Sequence, residues 1–220
     1  MRKLFLFLCA ALFASQAWAD DDFKYHDLYY HIIGNNAEVR FETNDDNNYS
    51  GLTNISIPDK VSLGTMRSYD VIRIGNIAFC GCGSLTEVTI PNSVTSIGND
   101  AFLNCSGLTT VNIKSNSSIT EIGNEAFYNC SSLTAFSIPQ SVKIIGNSAF
   151  YGCSSLTEVT IPGWVTTINF NTFYGCTGLT KVTIVYSVNN IAKNAFNGCS
   201  GLTSLTIPGS VTSIGEDAFR

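Results

Sequence analysis

Residues 52–220 are expected to fold as a mainly β solenoid of about seven stacked 23-residue coils, with an N-terminal β-hairpin cap before them. Three observations point there: a period near 23 residues, short apolar runs that alternate with period two, and Gly and Pro at fixed places between those runs. Four columns carry the period. Leu52, Leu85, Leu108, Leu133, Leu156, Leu179 and Leu202 open the units, and an Ile follows each five residues later, from Ile57 to Ile207. Phe79, Phe102, Phe127, Phe150, Phe173, Phe196 and Phe219 form the third column, and Cys82, Cys105, Cys130, Cys153, Cys176 and Cys199 the fourth. Two units are longer, one through an insertion at Ser115 to Ser118 and the first through an insertion around Leu63 to Tyr69.

Each unit reads Leu-x-x-Val-x-Ile-Pro, then Ser-Val-x-x-Ile-Gly, then x-x-Ala-Phe-x-x-Cys. In Leu85-Thr86-Glu87-Val88-Thr89-Ile90 the alternation turns Val88 and Ile90 to one face, and Pro91 ends the strand by withholding a donor. Val94 and Ile97 are expected in a second short strand, and Gly98 in a turn that a Cβ would oppose. Phe102 is expected to fill the coil interior, with Cys105 as a small buried hydrophobe. No unit can bury its apolar side alone, so neighbouring coils must complete the core. Where the pattern departs, regularity is expected to suffer: Asn169 and Ala192 stand in the Gly column and Val185 in the Pro column, which marks the fifth and sixth units.

The head of the chain differs. Arg2-Lys3, an apolar run from Leu4 to Phe13 and Ala17-Trp18-Ala19 read as a secretory signal peptide over residues 1–19, since about ten apolar residues fall short of the roughly twenty a spanning helix needs. Residues 20–51 then comprise a solvated acidic lead-in, Asp20-Asp21-Asp22, and a β cap over 23–51. The cap is a hairpin of Leu28 to Ile33 and Ala37 to Phe41 about Gly34-Asn35-Asn36, closed by Asp45-Asp46-Asn47-Asn48.

The repeated unit resembles the BspA-type leucine-rich repeat of bacterial surface proteins, across residues 52–220 and, in the leader segment, across 23–51. The resemblance implies a leucine-rich-repeat solenoid in an exported surface protein, some of whose relatives act as adhesins for host extracellular-matrix proteins. It implies no catalytic residues.

Composition narrows the function from the other side. The 220 residues are 45% apolar and 13% charged with a formal net charge of −5, and no basic cluster follows residue 3, so a nucleic-acid surface is excluded. Signal cleavage removes two further basic residues and leaves no transmembrane segment. His26 and His31 are the only histidines and both lie in the cap, so the repeats lack the base of a Ser-His-Asp or Cys-His site. Glu87 and Glu158 share a column three rungs apart, on the order of 15 Å, too far for a carboxylate pair. No enzyme and no cofactor are expected. Without Cys9 seven cysteines remain, six in one column, which indicates packed thiols in a ladder. Cys80 and Cys82 are close enough for a metal or a strained bridge, but no His or second Cys pair completes a zinc set, and packing is the expectation.

The working surface is expected to be the outward face of the first strands, rich in Thr, meeting a protein or glycan partner. Glu87, Glu158 and Lys181 lie on that face, the last two on adjacent rungs where they can pair. Trp164 stands where other units have Ser93, Phe170 where they have Asn99, and Tyr186 where they have Asn92. Exposed rings often dominate binding energy, so these three complete the candidate set. The competing expectation is a structural or self-assembling spacer, with self-association through the seventh unit, which stops at Arg220 without its Cys.

Overall fold

The computed structural model describes residues 22–40, 49, 51–64 and 67–220. The signal peptide, Asp20, Asp21, Phe41 and the Asp45-Asp46-Asn47-Asn48 stretch lie outside the described residues. The leading strands are β1 (Asp22–Tyr25), β2 (Leu28–Ile33), β3 (Asn36–Arg40), β4 (Asn54–Ser56), β5 (Lys60–Leu63) and β6 (Arg67–Ile74). The repeats supply β7 (Glu87–Ile90), β8 (Ser96–Ile97), β9 (Thr110–Ile113), β10 (Glu121–Ile122), β11 (Ile144–Ile145), β12 (Glu158–Thr160), β13 (Thr167–Ile168), β14 (Lys181–Thr183), β15 (Asn190–Ile191) and β16 (Ser213–Ile214). The chain is a β solenoid, and no helix occurs among the described residues.

Equal letters in successive units become neighbours in space. First strands pair in parallel one unit apart, Val88 against Val111 and Val159 against Val182, and second strands do the same, Ile97 against Ile122 and Ile168 against Ile191. Period two then sends Val88 and Ile90 inward, both fully buried, while Thr86 and Glu87 stay exposed. Val94 is buried too, but in the turn before β8, where its N–H donates to the Pro91 carbonyl. The same bond recurs from Val188 to Val185, so the turn survives the loss of its proline. In the seventh unit residues 202–207 form no strand, and the unit contributes β16 and Phe219 instead.

The phenylalanine column is a stack. Successive rings from Phe79 to Phe196 are nearly parallel with centroids 5.1–5.5 Å apart, and Phe219 continues the series. Offset-parallel rings each add about 0.5–1.5 kcal/mol beyond the area they bury. The cysteines lie beside them as reduced, buried thiols. From Cys105 to Cys199 each Sγ donates to the phenylalanine carbonyl of the preceding coil, at 2.9–3.2 Å. Their role is thus hydrogen bonding as well as packing.

The glycine column corrects one expectation. Gly98, Gly123 and Gly146 do not have positive φ; a Cβ there would instead meet backbone atoms of the preceding coil at 2.7, 2.6 and 2.4 Å. Left-handed backbone falls in two other columns. One runs Ile77, Asp100, Glu125, Ser148, Asn171, Asn194 and Asp217, and the other Gly81, Asn104, Asn129, Gly152, Gly175 and Gly198. Most of these are Gly, Asn, Asp or Ser, residues that enter that region readily; Ile77, at φ 54, is β-branched and strained.

The fifth unit is irregular for a related reason. Elsewhere the Gly-column N–H donates to the Ile carbonyl one coil back, as in Gly146 to Ile122 at 2.8 Å. At Asn169 the side-chain Nδ2 makes that bond to Ile145, at 2.7 Å, and the second-strand sheet is interrupted between β11 and β13. Ala192 keeps its backbone bond, and the cost surfaces one turn away, where Asn171 N–H reaches Lys193 at 3.3 Å against 2.8–3.0 Å in most other units. The fourth unit breaks as well, which the sequence pattern did not indicate. Phe136 replaces the usual Val, wedges between Phe127 and Phe150 at 4.8 and 5.0 Å, and reduces the first strand to one bridge between Thr110 and Ala135.

At the head, β2 and β3 pair antiparallel as expected, β1 adds a third strand, and β3 runs parallel to β6, which continues into the second-strand sheet. The insertion of the first unit forms the antiparallel pair β5 and β6. Asp22 is not a solvated lead-in. It opens β1 with its side chain 7% exposed, held by His31 at 2.5 Å and Arg40 at 3.2 Å.

Candidate functional site

Each coil presents its first strand with alternate side chains outward, so the candidate charges lie on one sheet face. Glu158 and Lys181 are register partners, with Nζ donating to Oε2 at 3.3 Å. Both side chains are more than 60% exposed, so the pair contributes only about 0–1 kcal/mol. Glu87 lies on the separate β4-β7-β9 sheet and accepts from Asn112 Nδ2 at 2.6 Å. The threonines between them are tethered: Thr109, Thr157 and Thr180 hydroxyls donate to carbonyls of the preceding coil at 2.9–3.3 Å. That face is rigid, polar and weakly charged.

The candidate rings occupy the corners. Trp164 follows β12 in the turn where Ser187 and Ser210 donate to valine carbonyls of the preceding coil, at 2.9 and 2.7 Å. An indole cannot replace that bond in the same way, and the ring projects outward, 67% exposed. Tyr186 leaves the corresponding turn of the next coil at 85% exposure. Phe170 lies beyond β13, away from the other two along the coil, and is 42% exposed. There it interrupts an asparagine ladder in which Asn76, Asn99 and Asn124 each accept the N–H of the next rung at 2.8 Å. The structure therefore groups Trp164 with Tyr186 on successive turns and Glu158 with Lys181 on the strands, and sets Phe170 and Glu87 apart.

The neighbouring tyrosines do something else. Tyr128, Tyr151 and Tyr174 stack at 4.4 and 4.7 Å, which makes them inter-coil packing groups. Burial and the adjacent Tyr151 raise the Tyr128 hydroxyl above its usual pKa. On the seventh unit Lys193 pairs with Glu216 at 2.5 Å, a bond that raises the ammonium and lowers the carboxyl. Burial raises the thiols from Cys105 to Cys199 above their ordinary value, Cys153 to about 12 and Cys199 to about 11. Neutral thiols of this kind are poor nucleophiles and poor ligands. Among the described residues no group of three or more His, Cys, Asp or Glu side chains is placed to hold a metal, and no helix is long and apolar enough to cross a membrane.

Comparison with known proteins fits this geometry. The model of the BspA type leucine rich repeat region matches in six copies, over residues 47–162, 72–185 and 120–220. A leucine rich cell surface protein from Faecalibacterium prausnitzii is 36% identical with a TM-score of 0.80; the match covers 94% of this chain and 53% of that one. The chain thus spans about half the length of that relative. A leucine rich repeat protein from T. pallidum is 27% identical, TM-score 0.74, with 91% and 86% of the two chains covered. The pneumococcal vaccine antigen PcpA, at 22% identity and TM-score 0.55 over 93% and 48% of the chains, shares the fold. Comparison with curated proteins gives no match. The chain belongs to the BspA-type leucine-rich-repeat family.

Proposed function

We propose that the chain is an exported recognition module that binds a protein partner through its repeats, with Trp164 and Tyr186 as the anchors. The observation that carries this is their exposure, 67% and 85%, in a solenoid whose other repeat-column aromatics are stacked or buried. Large rigid rings bury much area at low entropic cost on binding, and a handful of such residues supplies most interface energy. Glu158 and Lys181 form a polar rim beside them, with Phe170 and Glu87 as outlying contacts. Host extracellular-matrix and cell-surface proteins are the first partners to test, and a glycan partner the second. Export rests on the leader at residues 1–19 and on the surface-protein character of the family.

Binding to an array of matrix proteins tests the reading. The Trp164→Ala/Tyr186→Ala double variant should lose at least tenfold in affinity, since each anchor is worth about 2 kcal/mol or more. Absence of any protein binding by the unaltered chain, or equal binding by the variant, would overturn it. A spacer that self-associates is the second reading, favoured by Ile207, Ile214 and Phe219, which are 37–52% exposed in the seventh unit. Concentration-dependent association measured by sedimentation, lost in Ile214→Ser/Phe219→Ser, would select it.

A further inference from the structure

A cleft of about 250 Å³ opens between the β1–β2 turn and the first coil, far from the rings of the fifth and sixth units. One wall is Tyr25, His26, Asp27 and Leu28, and the other is Leu52, Asn54, Ile55, Ser56 and Pro58. Tyr30 lines it from β2, with no solvent exposure, and its hydroxyl has no hydrogen-bond partner. An orphaned buried hydroxyl costs about 1–3 kcal/mol, and native structures seldom leave one without a reason. Phe23 stacks on the Tyr30 ring at 5.8 Å, so the ring is held in place and the hydroxyl cannot swing away to another acceptor at low cost.

The walls are preorganised in the same manner. The Asn54 Oδ1 accepts from the Thr86 hydroxyl at 3.1 Å, which leaves the amide N–H groups to donate elsewhere. His26 has a left-handed backbone, φ 54, and packs its ring edge-on against Tyr25 at 4.4 Å. These features define the occupant. Asp27 with no Lys or Arg in the lining disfavours an anion. A single carboxylate is no site for a metal cation. A purely apolar molecule would leave the Tyr30 hydroxyl orphaned. A ring small enough for the space must offer acceptors to Tyr30 and Asn54, hydroxyls to Asp27 and Ser56, and C–H faces to Tyr25, Leu28 and Leu52.

We infer that this cleft is a binding site for one neutral saccharide ring, such as the terminal unit of a glycan, with the Tyr30 hydroxyl and the Asn54 amide as its principal donors. It is a separate site from the proposed protein-binding corner, and each can fail without the other. Saturation-transfer NMR and calorimetry on the full chain would test it, with glucose, galactose, mannose, fucose and N-acetylglucosamine as probes at millimolar concentration. At least one sugar should bind, and Tyr30→Phe should weaken it about tenfold, equivalent to about 1.4 kcal/mol, while leaving the thermal midpoint unchanged or higher. Asn54→Ala, on the opposite wall, should weaken the same sugar. Failure of all five sugars to bind, or binding that Tyr30→Phe and Asn54→Ala leave intact, would overturn the assignment.

Discussion

Single residues in this solenoid are constrained by the coil next door more than by their own backbone. Gly146 shows it: its φ is ordinary, yet a Cβ would lie 2.4 Å from the Asn124 nitrogen, and backbone cannot yield as a flexible side chain can. Gly146→Ala should therefore cost about 1–3 kcal/mol by overpacking, read from a denaturant midpoint. Gly209→Ala, where a Cβ meets nothing within 4 Å, should be neutral or gain up to about 1 kcal/mol by restricting the unfolded chain. The thiol column makes a second claim at this scale. Burial raises Cys153 from the ordinary 9.0 to about 12, so the folded state keeps a proton that the unfolded chain releases above 9.0. That contribution is fully present below pH 9.0 and is lost as pH rises toward about 12, because there the unfolded state binds fewer protons. Unfolding followed by fluorescence should show stability falling steeply across that window. Cys153→Ala should flatten the fall, and an unchanged slope would remove the thiol from the explanation.

At the scale of the element, strands of two to four residues exist only because the next coil completes their ladder, so one substitution can end a sheet. Asn169 ends one and repairs it with its own amide. Asn169→Ala should leave the Ile145 carbonyl unpartnered and cost about 1–3 kcal/mol, with exchange quickening at β11 and β13 before it does elsewhere. Phe136→Ala removes the ring wedged between two stacked phenylalanines and should cost about 3–5 kcal/mol through the cavity left behind. These breaks also mark how far the fold could be read from letters. Columns of identical residues were legible, since a 23-residue repeat places Phe on Phe and Ile on Ile, and the Glu158–Lys181 pair followed from register. The left-handed columns were not, because Ile77, Asp100, Glu125 and Ser148 share a conformation without sharing a letter. The role of Gly146 was misread because the contact that requires it comes from another coil. Of the candidate site, each ring's departure from its column was visible in sequence. That Phe170 lies beyond β13 from Trp164 was not apparent until the second strand's limits were known, and the Tyr30 cleft joins segments with no common motif.

For the whole molecule, stacking makes stability a sum over neighbours, because each coil bonds chiefly to the one before and the one after. Phe102, Phe127 and Phe150 donate their N–H groups to the next coil at 2.8–2.9 Å, beneath apolar columns that are 0–5% exposed. Phe196 makes the equivalent bond to Ala218 at 2.8 Å, but there Ile207 and Ile214 are 37% and 52% exposed and residues 202–207 form no strand. Bond lengths alone would assign the two regions equal protection; burial does not. Opening the seventh unit exposes little additional apolar surface, whereas opening the third or fourth must separate stacked rings on both sides. Native-state hydrogen exchange should therefore show the amides of Phe102, Phe127 and Phe150 exchanging only with global unfolding, and those of Phe196 and Gly198 exchanging earlier, at free energies insensitive to Gly146→Ala. Equal protection along all seven units, falling together in that variant, would mean that the solenoid opens as one cooperative block and that the neighbour-by-neighbour description fails.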